Sequence, residues 1–229
     1  MKRWLSGLCI LSLSTFSFGA DKYCAAKGSS YTLHFFGSSF SADLHKRDFL
    51  RGIDALNDDL KRGDALKIVF HKPKGDYRVV LDACVPGCPE TSVLGGLTAE
   101  CSAQIAKKDY VDFRNKYLSA VKQAGSIEKT GYNVFQDLVT LSDYYRGRGA
   151  SSDTIYVFHS LVPNGLGSNP TQAKYNSVFV DLVQNKKALP EALPKLAFVN
   201  ADTSKLNYEF WQDIQKLIRS DSLNFVSME

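Results

Sequence analysis

Apolar positions along this chain fall into short compact runs separated by longer stripes at helical spacing. Tyr31 to Phe36 is a dense apolar and aromatic run ended by Gly37-Ser38-Ser39, which predicts a buried strand. Between Asp43 and Arg62 the residues Phe49, Ile53, Leu56 and Leu60 recur at spacings of four, three and four, one face of a helix stopped by Gly63-Asp64. Leu66 to Phe70 predicts a second strand. The turn signal Pro73 to Asp76 folds a third, Tyr77 to Leu81, back on it as a hairpin, so the sheet is not purely parallel.

Residues 84 to 101 carry Pro86, Gly87, Pro89, Gly95 and Gly96 and read as irregular. Two helical stripes follow, through Tyr110, Phe113, Tyr117 and Val121 and through Val134, Leu138, Leu141 and Tyr145. Thr154 to His159 predicts a strand. A glycine-containing loop then leads to a helix with Asn169 as cap, Pro170 at its first position and Tyr175, Val178, Phe179 and Leu182 inside. A strand at Pro194 to Val199, a helix marked by Phe210, Trp211, Ile214, Leu217 and Ile218, and a short strand at Leu223 to Val226 complete the series. This alternation predicts one α/β domain: a single doubly wound, mostly parallel sheet with one antiparallel hairpin strand and helices on both faces.

The start of the chain changes the charge and the cysteine count. Lys2 and Arg3 precede an apolar run from Trp4 to Phe18 and a small-residue exit at Gly19/Ala20, the pattern of a cleaved signal peptide over residues 1–20. An arm over 21–30 and the domain over 31–229 follow, and the expected location is periplasmic or secreted. The full chain carries +4, and loss of Lys2 and Arg3 leaves +2, which argues against nucleic acid as a partner. The leader is too short and too interrupted by Ser and Thr to span a bilayer, and no second candidate span lies downstream.

Loss of the leader also removes Cys9, leaving Cys24, Cys84, Cys88 and Cys101, an even set suited to two disulfides in an oxidising compartment. Four cysteines allow three pairings. Cys88–Cys101 with Cys24–Cys84 is the expected one, since it closes a local loop and ties the arm to a strand end. The alternative is a thiol-redox site at Cys84 and Cys88, which has one spacer residue more than a thioredoxin motif and no helix start beneath its first Cys.

Enzyme signatures are weak. His34, His45, His71 and His159 show no zinc spacing, and His34 inside a strand reads as a hydrogen-bonded core residue. His159 and Ser160 are neighbours on a strand and point to opposite faces, so they do not form a base and nucleophile pair. Asp58 and Asp59 read as a solvated helix face, and Asp82 as a strand-end residue facing solvent or a cysteine-loop amide. Tyr144 and Tyr145 beside Arg146 and Arg148 have two readings. They are interface anchors, or Tyr145 completes a core stripe while Tyr144 stays half exposed.

The order of elements over residues 31 to 220 resembles a von Willebrand factor A domain. Four places carry the resemblance: Leu60 to Phe70, with its helix end, Gly-Asp and second strand; Lys129 to Asn133, similar to the loop with a Thr before the third helix; Ile155 to Ser160 with the following loop; and Gly37 to Ser41, where the family carries Asp-x-Ser-x-Ser. The resemblance implies a divalent-cation site at the carboxyl ends of the parallel strands, with Ser39, Ser41 and Thr130 in the hydroxyl positions. Both carboxylate positions are lost, one to Gly37 and the other to Ser160 or His159. A hard cation such as Mg²⁺ needs anionic oxygen to offset its dehydration. The expectation is therefore a degenerate, metal-free site without a cofactor. Were Mg²⁺ to bind, Ser39, Ser41 and Thr130 would hold it. Asp43 nearby reads as the first helix's cap.

Open α/β sheets bind ligands beyond the carboxyl ends of their strands, independently of family. The loops there, 37–43, 126–133 and 160–169, are rich in Ser, Gly and Asn. The functional expectation is a noncatalytic exported module that binds another protein of the envelope or cell surface through Gly37, Ser39, Ser41, Thr130, His159 and Ser160.

Overall fold

The structure, a computed structural model, describes residues 23–24, 28–36, 60–72, 76–87, 103–124, 134–146, 154–166, 169–184, 189–190, 193–199, 201–218 and 223–225. In chain order its elements are β1 (Ser30–Phe36), β2 (Ala65–His71), β3 (Tyr77–Cys84), α1 (Ala103–Ala124), α2 (Val134–Tyr145), β4 (Thr154–Phe158), α3 (Gln172–Gln184), β5 (Leu196–Val199), α4 (Lys205–Ile218) and β6 (Leu223–Phe225). The strands form one sheet in the order β3-β2-β1-β4-β5-β6. Only β2 and β3 pair antiparallel; every other pair is parallel. The expected α/β class with one antiparallel hairpin strand holds.

Strand parity explains the layers, because successive side chains leave a strand on opposite faces. Leu33 and Phe35 of β1, Leu66, Ile68 and Phe70 of β2 and Phe158 of β4 point to one face, where Phe113, Tyr117 and Ala120 of α1 cover them. Phe35 is the centre of this layer, stacked on Phe158 at 4.5 Å and edge-on to Phe70 at 5.6 Å. Phe36, Ile155, Val157, Leu196 and Phe198 point to the other face, beneath Leu138 and Leu141 of α2, Tyr175 and Leu182 of α3, and Trp211 and Ile214 of α4. Each fully buried side chain of this size contributes about 2 kcal/mol, so the two layers are the main source of cohesion.

Several boundaries differ from expectation for local reasons. The first predicted helix falls mostly outside the described residues, and its last positions, Leu60 to Arg62, are not helical; Gly63 follows at φ 88°, a left-handed turn. β3 runs three residues further than expected, to Cys84, so Asp82 lies within the strand and pairs with Lys67 at 3.3 Å. The β2–β3 register skips Val80, a bulge that twists this edge strand. α3 begins at Gln172 rather than at Pro170, because the Thr171 carbonyl accepts the first helical bond, from Tyr175 N at 3.1 Å. The cap is therefore Thr171, and Asn169 and Pro170 precede the helix.

The amino-terminal end of the parallel strands is tied shut. Asp64 is buried, and its carboxylate accepts from Ser29 N at 2.9 Å and Lys61 N at 2.8 Å. Backbone bonds from Gly63 N to Val85 O, from Val85 N to Asp64 O and from Ala65 N to Ser29 O, each 2.8 Å, join β1, β2 and β3 there. Cys24 is disulfide-bonded to Cys84, with the Cα atoms 5.2 Å apart, so that half of the expected pairing holds. Cys88 and Cys101, like residues 1–20, lie outside the described residues.

Candidate functional site

The strand order reverses direction between β1 and β4, so their carboxyl ends flank the crevice where an open α/β sheet receives its ligand. At the end of β4 the chain makes a turn through His159, Ser160 and Leu161. Leu161 is fully buried at φ 56°, a left-handed conformation that a residue with a branched side chain adopts only under constraint, at a cost of about 1–2 kcal/mol. Its neighbours supply the constraint. Leu161 N donates to His159 Nδ1 at 2.8 Å, and Trp211 Nε1 donates to Leu161 O at 2.6 Å. His159 N donates to Val199 O, and Asp202 N to Ser160 O.

These bonds set the histidine's chemistry. Because the Leu161 N–H occupies Nδ1, neutral His159 carries its proton on Nε2, which donates to Asp137 Oδ2 of α2 at 3.2 Å. Both ring nitrogens are committed and the side chain is buried, so His159 positions the turn. The turn is also braced from α4: Asn207 is fully buried, donates to Asp202 O at 2.7 Å and accepts from Tyr175 OH at 3.4 Å. Burial, and then the nearby Asp202 carboxylate, push the Tyr175 hydroxyl's pKa upward.

A second polar group lies under α2, on the same sheet face. His34 Nδ1 is 2.7 Å from His71 Nε2, and His34 Nε2 is 2.7 Å from Tyr145 OH. Both histidines are buried, which bears out the core role expected for His34. His71 stacks on Phe36 at 4.3 Å, while Tyr144 meets His34 and His71 edge-on at 5.0 and 5.8 Å and Tyr77 edge-on at 4.9 Å. His71 Nδ1 has no hydrogen-bond partner among the described residues. Burial lowers the His71 pKa to about 4, with the charge of Asp137 opposing in part. Of the two readings of the tyrosine pair, the core-stripe one has its places exchanged, Tyr144 being buried and Tyr145 only half-buried. A single helical stripe puts Tyr145 innermost, but the end of α2 is also covered from the sheet edge by Tyr77.

No protein-family model and no curated protein matches the chain.

Of the residues expected on the binding face, His159 and Ser160 are described: Ser160 is half-buried at the turn and His159 lies beneath it. Gly37, Ser39, Ser41 and Thr130 lie outside the described residues, as does Asp43. Cys84 is bonded to Cys24, and Cys88, its partner in the alternative thiol-redox reading, is likewise outside. Among the described residues, no group of three His, Cys, Asp or Glu side chains is placed to hold a metal, and no helix is long and apolar enough to cross a membrane. A cavity of about 280 Å³ between α3 and α4 is lined by Gln172, Asn176, Phe179, Glu209 and Asp213, and none of the expected site residues reaches it.

What the sequence pattern did not show is the convergence of His34, His71 and His159 under one helix. Their parity was readable, since His34 alternates with the α1-facing Leu33 and Phe35. Which strands lie side by side was not.

Proposed function

We propose that this chain is a noncatalytic exported domain that binds another protein of the envelope or cell surface through the loops at the carboxyl ends of β1 and β4. The observation that carries the reading is the strand order 3-2-1-4-5-6, whose reversal between β1 and β4 coincides with the strained, four-times-anchored turn at His159 to Leu161. Strain held in place by surrounding bonds concentrates where proteins engage ligands. The resemblance to a von Willebrand factor A domain supports the same face, and the loss of both carboxylates, at Gly37 and Ser160, supports binding without Mg²⁺. The engagement of both His159 nitrogens weighs against a general base there. The leader at Lys2 to Ala20 and the Cys24–Cys84 bridge suit export to an oxidising compartment.

The test is site-specific photo-cross-linking in the native host from position 160, with exposed Ser119 on α1 as the control position, followed by identification of the captured protein. A partner captured from position 160 alone, and lost when Ser39 and Thr130 are both replaced by Ala beside the cross-linker, is the expected result. Equal capture in that variant moves the surface elsewhere. Titration with Mg²⁺ and Mn²⁺ tests the metal-free site: saturable binding on the order of micromolar that disappears on Ser39→Ala overturns it.

A further inference from the structure

We propose that the carboxyl-terminal end of α2 is an acid-released element, clamped to the sheet by a pair of neutral buried histidines and freed when that pair takes up a proton. The clamp is the chain Tyr145–His34–His71. One hydrogen bond joins the two imidazoles, so one N–H lies between two nitrogens. If His34 Nδ1 donates, Tyr145 OH donates to His34 Nε2 and His71 keeps its proton on Nδ1. If His71 Nε2 donates, His34 Nε2 donates to the tyrosine oxygen and His71 Nδ1 is bare. Both arrangements are neutral and keep both bonds.

A further proton has only the bare His71 Nδ1 to go to, where nothing described receives it. It makes His71 an imidazolium whose Nδ1–H has no acceptor among the described residues, in a buried position against the Phe36 ring. Among the described residues, the ionisable groups around the pair are Tyr144, Tyr145 and Asp137 from α2, Tyr77 from β3 and His159 from the end of β4. Asp137 is the anion among them, and it accepts from His159 Nε2. A buried cation without a hydrogen-bonded counter-charge is expelled to water or forces its surroundings open.

The part that opens is decided by what holds each element. β1 and β2 carry His34 and His71 on strands joined by a seven-residue parallel ladder. Among the described residues, the end of α2 meets the sheet through the side chains of Tyr144 and Tyr145, beyond its apolar anchors Leu138 and Leu141, with no ladder of backbone bonds to a strand. Proton uptake therefore releases the helix end before the strands. Transmission to ligand binding rests on the proposed function: α2 also carries Asp137, which holds the β4 turn.

Hydrogen exchange of the full chain, expressed as protection factors between pH 7 and 4, tests the release without any ligand. Amides of Leu141 to Tyr145 are expected to lose protection as pH falls, by about 150-fold at pH 4 for a midpoint moved from 6.5 to about 4, while β4 and β5 keep theirs. Simultaneous loss in all three elements, or no loss in α2, overturns the proposal. Tyr145→Phe removes the clamp's bond, so α2-end protection becomes low and independent of pH. His71→Gln should abolish the acid step. Should that variant not fold, nuclear magnetic resonance titration of the wild-type histidines decides: a His71 midpoint below 5 that coincides with α2 release supports the clamp, and one near 6.5 overturns it.

Discussion

The two ends of the parallel strands are built on opposite principles. At the amino-terminal end every polar group just described closes on a backbone partner: Asp64 takes two amides, Gly63 and Val85 bridge β2 to the end of β3, and Cys24–Cys84 adds a covalent tie. At the carboxyl end lie a left-handed leucine, three buried histidines and a ring nitrogen without a partner among the described residues. The first arrangement spends its bonds on cohesion. The second stores strain and titratable groups beside the crevice where such folds bind. Stability and responsiveness are thus separated along the strand direction by about the length of one strand.

The largest effect that can break this contrast is loss of the covalent tie. Cys24 and Cys84 are 60 residues apart in sequence, and removing a cross-link of that span raises the entropy of the unfolded chain enough to cost about 4 kcal/mol. Cys24→Ser, in urea unfolding followed by circular dichroism, should lower the midpoint strongly and raise the slope, because the unfolded chain without the cross-link exposes more surface. A loss under about 1 kcal/mol would mean that the amino-terminal end is held by Asp64 and its backbone bonds alone.

At the other end the next largest effect is acid. His71 is neutral and buried, with a pKa of about 4 against 6.5 in the unfolded chain. Above pH 6.5 neither state is protonated and His71 adds no pH dependence. Between 6.5 and 4 the unfolded state binds the extra proton, so stability falls with falling pH, and below 4 the loss is complete at about 3 kcal/mol. Unfolding free energies measured from pH 8 to 4 should show this slope in the wild type and a flatter one in His71→Gln. Equal slopes would remove His71 from the account.

The fold was more legible than the site, and particular residues show why. Compact apolar runs such as Tyr31 to Phe36 and Thr154 to Phe158 announce buried strands because parallel strands covered on both faces need no alternation. Pro73 to Asp76 announced the antiparallel hairpin. The start of α3 was misplaced because Asn169-Pro170 is a common opening signal, while the bond that begins the helix belongs to the Thr171 carbonyl. The core-stripe reading of Tyr144 and Tyr145 interchanged them because helical periodicity knows nothing of Tyr77 arriving from a neighbouring strand. Of the candidate site, the β4 turn was legible through the glycine-containing loop that follows it. Its anchors, Asp137, Trp211 and Asp202, were not, since each comes from a different element and none belongs to a motif.

A smaller effect sharpens the carboxyl end. Trp211→Phe keeps most of the buried ring but deletes the donor to Leu161 O, leaving a buried carbonyl to be satisfied elsewhere. The expected cost is about 2 kcal/mol, seen in urea unfolding by circular dichroism. It should be accompanied by faster exchange at Leu161 N, because the same turn then loses one of the bonds that hold its left-handed conformation. A stability loss without any change at Leu161 would show that the indole acts through packing.

The smallest effect tests whether charge in general, or buried charge in particular, sets the contrast. Lys67 and Asp82 pair at 3.3 Å across β2 and β3, with more than a third of each side chain in water. Exposed pairs gain little over their hydrated, separated state, so Asp82→Asn should change stability by less than about 0.5 kcal/mol and leave the acid slope intact. The pair and the His34–His71 clamp both depend on ionisable side chains at the β3 side of one sheet, and they differ in access to water. If Asp82→Asn shifted the acid slope as much as His71→Gln, the pH response would be a property of surface charge, and the separation of the two ends would have no electrostatic basis.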